Sequence, residues 1–133
     1  MKFIVLIMFL GITICFAAAG NAAGNGAPGI PVGMEARVNT YSGDIIDNTC
    51  VQLNQNNLSK IAPTYSKEDA LQPGCAKSGY QLYTGDGKLF EFNKRSNKKV
   101  EEFLKKPDST IRVTVTAELI KNKLSLITIK NQK

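Results

Sequence analysis

Asp44, Asp47 and Cys50 lie close together in the run GDIIDNTC, and Cys75 follows after a polar stretch. Paired carboxylates do acid and base work in glycoside hydrolysis. A thiol becomes a nucleophile where its surroundings lower its pKa. The chain contains no histidine, which removes Ser-His-Asp triads, Cys-His pairs and the usual zinc sets. Asp44 and Asp47 stand three apart in an alternating stretch, so they point to opposite faces of a strand and cannot flank one bond. A hard cation could use Asp44, Asp47 and Asp86 as oxygen ligands, but EF-hand spacing is missing and Asp86 already belongs to a Gly-Asp-Gly turn. The residues predict no enzyme, no metal centre and no cofactor.

The compartment decides how the cysteines read. Met1-Lys2 precede the apolar run FIVLIMFLGITICFAAA, which ends in small residues at Ala17 and Ala19. This is the pattern of a secretory signal peptide, residues 1–19. The run is short for a membrane span, and Ile14 stands where a lipidation signal at Cys15 wants a small residue. Residues 20–35 are rich in Gly, Ala, Asn and Pro without an apolar period, and predict a flexible linker. The folded part is then one domain, residues 36–133, in a periplasmic or secreted protein without stable membrane insertion after cleavage. Cys15 leaves with the signal, so Cys50 and Cys75 remain as an even pair, which predicts a disulfide. Closing a loop of about 25 residues would stabilise the domain by roughly 3 kcal/mol on the chain-entropy model. A metal site or a redox pair is the functional alternative, although no C-x-x-C is present.

The elements that position these residues follow from pattern. Residues 37–47 alternate around Gly43 and predict one long, curved strand. Residues 51–74 are polar and broken, and Ser66 with Asp69 forms a capping-box helix start that Pro73-Gly74 should end. Tyr80–Thr84 and Lys88–Asn93 flank Gly85-Asp86-Gly87, a hairpin signal, with Tyr80, Leu82, Phe90 and Phe92 facing inward. A helix capped by Ser96 or Asn97 runs to Lys105, with Val100, Phe103 and Leu104 as its apolar stripe, and Pro107 beyond it. Ile111, Val113, Val115, Ala117 and Leu119 then alternate inward, a turn follows at Lys121–Lys123, and the adjacent Leu126 and Ile127 in the last strand predict a register change. Five strands with a helix between the third and fourth give a mainly β fold. The order is that of a small OB-fold-like barrel, here with a disulfide-closed insert after the first strand.

With GDIIDNTC, PGCAKSGYQLYTGDGKLFEFN and IRVTVTAELIKNKLSLITIKN, the chain resembles small exported bacterial proteins of OB-fold type and unknown function, over residues 41–131. Their shared pattern is G-x-I/V-x-D-x-x-C followed by C-A-x-x-G-Y. It is matched here by Asp47 and Cys50, then by Cys75, Ala76 and Gly79. Relatives place a further Cys soon after the C-A; Lys77-Ser78 stand there in this chain. The resemblance implies fold and compartment, and it implies no activity.

Charge is uneven. Residues 94–133 hold eleven Lys and Arg against four Asp and Glu, whereas residues 20–93 hold five against seven. An anionic polymer would suit the basic half, but lysine dominates it, as on a solvated face. OB-type single-strand binders stack bases on aromatic residues of the second and third strands. Tyr83 alone is free for that here, so no nucleic-acid partner is expected. The sequence therefore predicts a small binding or interaction module for a protein or saccharide partner in the cell envelope. Its candidate surface is Tyr65, Tyr83, Lys121 and Lys123. An envelope structural or stress-related protein is the alternative, ahead of a metal, redox or anionic-polymer binder.

Overall fold

The computed structural model describes residues 37–133, so the expected signal peptide and the expected linker lie outside the described residues. Strand β1 (Arg37–Asp47) is followed by four short helices, α1 (Asn48–Leu53), α2 (Leu58–Ile61), α3 (Lys67–Ala70) and α4 (Pro73–Ser78). Then come β2 (Tyr80–Thr84), β3 (Leu89–Phe92), α5 (Lys94–Leu104), β4 (Arg112–Ile120) and β5 (Lys123–Asn131). The five strands form one sheet that closes into a ring in the order β1-β2-β3-β5-β4.

Closure depends on the length of β1. Its first part, Arg37 to Asp44, pairs with β4, and its last part, Gly43 to Asp47, pairs with β2. One strand thus serves two neighbours, and it turns at Gly43, where both ladders overlap. A Cβ there would lie 2.3 Å from the Tyr83 carbonyl oxygen, so only glycine lets β2 approach. The seam between β3 and β5 is parallel and covers two residue pairs, Glu91–Lys123 and Phe92–Leu124. Beyond it α5 protects the edge of β5. The Leu126 amide donates to the Ser96 hydroxyl at 2.8 Å, and its carbonyl accepts from Lys99 at 3.1 Å.

The inside of the ring is the main core, with Ile45, Tyr80, Leu82, Phe92, Val100, Leu104, Val113, Val115 and Leu124 all buried. Alternation along β2 and β4 puts these side chains on one face. Two features expected from pattern are present. The register of β4 and β5 shifts between Thr116 and Ala117, opposite Leu126–Thr128. Lys121 and Asn122 both take positive φ, as a tight two-residue hairpin requires.

Four expectations need correction. The insert is more ordered than its polarity implies, because it has an apolar seat of its own. Val51, Leu58 and Ala62 bury against Ile46, whose neighbour Ile45 faces the main core. Pro73 begins α4 at its first turn instead of ending a helix, since proline fits a position whose amide is unbonded anyway. Asn93, not Ser96 or Asn97, caps α5, accepting from the Ser96 amide at 2.8 Å. Finally, Cys50 and Cys75 are free thiols, so the expected bridge is not formed in this structure. The helices that carry them are held together without it. The Asn48 side chain donates to the Ser78 carbonyl at 2.6 Å, and the Asn48 amide donates to the Gly79 carbonyl at 2.9 Å.

Candidate functional site

Asp47 is the last residue of β1 and the N-cap of α1, and its side chain is wholly buried. Its Oδ1 accepts from the Cys50 amide at 3.0 Å and from the Ser78 hydroxyl at 3.5 Å. Its Oδ2 accepts from the Tyr65 hydroxyl at 2.5 Å. None of the ion pairs among the described residues includes it. A buried carboxylate without a cation is costly unless donors surround it, and here the donors come from α1, from α4 and from the loop before α3. The carboxylate therefore organises the insert: α1 and the loop before α3 each satisfy one of its oxygens, while the Ser78 hydroxyl of α4 lies nearby and donates chiefly to the Cys75 carbonyl at 2.7 Å.

The same charge acts on its neighbours. Burial, then the hydrogen bond to Asp47, pushes the Tyr65 hydroxyl far above its ordinary range. Burial pushes the Cys50 thiol up, with the charge of Asp47 adding to it and the Asn54 amide, 3.7 Å from Sγ, opposing it. The Cys75 thiol is raised by burial first, then by the charge of Asp47 and a hydrogen bond to it. Both thiols are protonated at neutral pH, which makes them poor nucleophiles at rest. Among the described residues, no three His, Cys, Asp or Glu side chains are arranged to hold a metal ion.

A second feature lies on the opposite face of β1. Asp44 bonds Arg112 at the start of β4, 3.1 Å from Nε to Oδ1. The aspartate side chain is only 16% exposed, the arginine 63%. Two adjoining clefts of about 360 and 440 Å³ share Asp44, Arg112 and Gln132. The first extends over Ser42, Gly43 and Gly85, the second over Pro63, Tyr65 and Thr110. Together they form a groove where the insert meets the sheet. As the alternation implied, Asp44 and Asp47 do not share a site.

The remaining expected site residues scatter. Tyr65 donates its hydroxyl inward to Asp47 and only edges the groove. Tyr83 packs beneath the insert, against the Ile46 cluster, and is not an open binding face. Lys121 sits in an exposed hairpin turn, and Lys123 pairs with Glu91 at 2.9 Å. These four do not converge on one surface. The motif residues have physical reasons. Gly79 takes φ 86° and ψ 178° after α4, a conformation essentially restricted to glycine, and a Cβ there would meet the Asn97 amide at 3.0 Å. Ala76 packs against the main core. Sequence reasoning missed Arg112, Gln132 and Ser78. The only advance signal for Arg112 was an arginine at a strand start, which is too common to single out.

The chain matches no family model, no curated protein and no solved structure. Its function has to be argued from these two features. Among the described residues no helix is long and apolar enough to cross a membrane.

Proposed function

We infer that the chain is an exported, non-catalytic binding module, periplasmic or secreted, built as an OB-type barrel. It holds a polar segment of a protein or saccharide partner of the cell envelope. The observation that supports this reading is the Asp44–Arg112 groove. A half-shielded carboxylate and an exposed guanidinium sit side by side, with a tyrosine edge and the amide of Gln132 in reach. Such a groove offers donors and acceptors to hydroxyl or amide groups, with apolar contact from Pro63 and Tyr65. Loop-built clefts on a rigid sheet are where binding is usually located.

Capture from envelope extract tests this, with the exported chain as bait and Arg112→Glu as the control. One stoichiometric partner held by the native chain and lost by R112E is the expected result. A partner retained equally by R112E removes the groove from the account. No partner at all favours an envelope structural or stress-related role.

A further inference from the structure

The lysine-rich half of the chain meets the end of the insert at a cleft of about 280 Å³. It shares no lining residue with the Asp44–Arg112 groove. Four lysines line it, and they arrive on three elements: Lys77 on α4, Lys94 and Lys98 one turn apart on α5, and Lys123 at the start of β5. Lys77 belongs to the acidic half of the sequence, so only the fold brings it to the other three. Two carboxylates share the cleft, and each already has a cation. Glu91 bonds Lys123 at 2.9 Å, and Glu101 bonds Lys105 at 2.6 Å. Lys77, Lys94 and Lys98 take part in no ion pair among the described residues. Like charges four apart on a helix, as at Lys94 and Lys98, work against helix stability, so folding alone does not explain them.

The cleft also has a fixed polar group. Asn97 Oδ1 accepts from the Tyr80 amide at 2.8 Å, and its Nδ2 donates to the Phe92 carbonyl at 3.3 Å. An amide nitrogen has two hydrogens, so one remains for another acceptor. Gly79 keeps side-chain atoms away from this nitrogen: a Cβ there would lie 3.0 Å from it. Lys94 is the first residue of α5, so the positive end of an eleven-residue helix adds to the field of the lysines.

We propose that this cleft binds the phosphate monoester of a small molecule, held by Lys77, Lys94 and Lys98 with Asn97 donating to the same group. The lining has four lysines against two glutamates, a net +2, and a phosphate monoester has a charge of about −1.5 to −2 at neutral pH. A phosphodiester, with a single negative charge, leaves part of that field uncompensated. Among the described residues no arginine lines the cleft. A planar carboxylate is matched best by the arginine fork, whereas ammonium groups act as point charges and suit a tetrahedral oxyanion approached from several directions. The volume of about 280 Å³ lies close to the lower bound of small-molecule sites, about 300 Å³, which suits a phosphate on a small organic group.

Amide NMR of the full exported chain, titrated with inorganic phosphate and with glycerol phosphate, tests the cleft. Saturable shifts are expected at the Gly79 and Lys94 amides and at the Asn97 side-chain amide. Affinity should weaken as ionic strength rises, and as pH falls through about 6, where the phosphate takes up its second proton. Lys98→Glu, at an exposed helix position, is expected to weaken binding by about tenfold or more, the scale of one hydrogen bond to a charged group. Lys130→Glu makes the same change in net charge at an exposed residue outside the cleft. It should stay within about twofold of the native affinity, since exposed charges out of contact are largely screened at physiological salt. Arg112→Glu, which tests the groove, should bind both probes like the native chain, so the two sites stand or fall separately. The same spectra show whether each variant is folded. Absence of saturable shifts with both probes overturns the proposal. So does an equal loss in Lys98→Glu and Lys130→Glu, which would make the effect one of net charge. Vesicles of phosphatidylglycerol, a diester, are the third arm. Binding to them that Lys98→Glu abolishes, without binding of glycerol phosphate, would assign the cleft to a lipid headgroup and overturn the small-molecule reading.

Discussion

Removing the Asp47 carboxylate should be far more damaging than neutralising it. In Asp47→Ala the Cys50 amide loses its cap, which costs about 1 kcal/mol for a typical N-cap. The Tyr65 hydroxyl, half-buried beneath the insert, loses its acceptor; a stranded buried donor costs about 1–3 kcal/mol. The Ser78 contact is long, at 3.5 Å, and adds little. Together these give a loss of about 2–4 kcal/mol. In Asp47→Asn, Oδ1 still accepts from Cys50, and the new amide can donate to the Tyr65 oxygen. The loss should therefore stay below about 1 kcal/mol, within the range of a conserved hydrogen-bonding pattern. In a domain of this size 1 kcal/mol shifts Tm by about 4–8 °C, so a difference of about 1 kcal/mol or more between the two variants should separate them by about 4 °C or more. Urea unfolding of native chain, Asp47→Ala, Asp47→Asn and Asp47→Ala/Tyr65→Phe provides the assay. If the reasoning holds, the double variant recovers part of the loss, because the stranded hydroxyl is gone. Asp47→Ala within 0.5 kcal/mol of the native chain, a value typical of a bland surface change, would refute the view of Asp47 as the organising group. So would Asp47→Asn and Asp47→Ala unfolding at the same midpoint.

Gly43→Ala forces a Cβ to within 2.3 Å of the Tyr83 carbonyl oxygen, a backbone atom that cannot rotate away. It should destabilise by about 3 kcal/mol, the upper end for overpacking, and thermal unfolding followed by circular dichroism would show the drop in Tm. Alkali should also destabilise the domain. Cys50 and Cys75 are raised above 9.0, Tyr80 is pushed up to about 12 chiefly by burial, and Tyr65 is raised further. The unfolded chain therefore releases these protons at lower pH than the folded one, and stability falls as pH rises from about 9 through 12. The urea midpoint should be level below pH 8 and decline above 9. Replacing both cysteines with serine should delay the onset towards pH 10, and an unchanged onset would count against the thiol contribution. Ser66→Ala removes a capping box in which Ser66 Oγ accepts from the Asp69 amide at 3.1 Å. A loss of about 1 kcal/mol is expected, with hydrogen exchange at α3 rising more than in the sheet.

Much of the architecture was legible in the chain because it rests on local rules. Alternation with period two sets the inward faces of β2 and β4, and it separates Asp44 from Asp47. The Gly-Asp-Gly hairpin, the capping box at Ser66, the stripe of α5 and the irregularity at Leu126–Ile127 each follow from residues a few positions apart. The insert was less legible, since its ordering depends on Ile46, a residue whose alternation with Ile45 shows two faces but not that both are covered. Tyr65 and Tyr83 read as surface aromatics for the same reason: nothing local says that the insert folds back over them.

The sequence by itself determined the alternation of the strands, the place of each turn, and a bend in the first strand at Gly43. These are matters of sterics and hydrogen bonding within one element or one turn. Only the tertiary structure decided that β1 is shared by two neighbours, that Arg112 meets Asp44 across 68 positions of chain, and that one buried carboxylate gathers Cys50, Tyr65 and Ser78. Those contacts join segments far apart in the chain. They exist because burying the two faces of Ile45-Ile46 draws the sheet and the insert together, leaving Asp47 no partner but the groups that close over it.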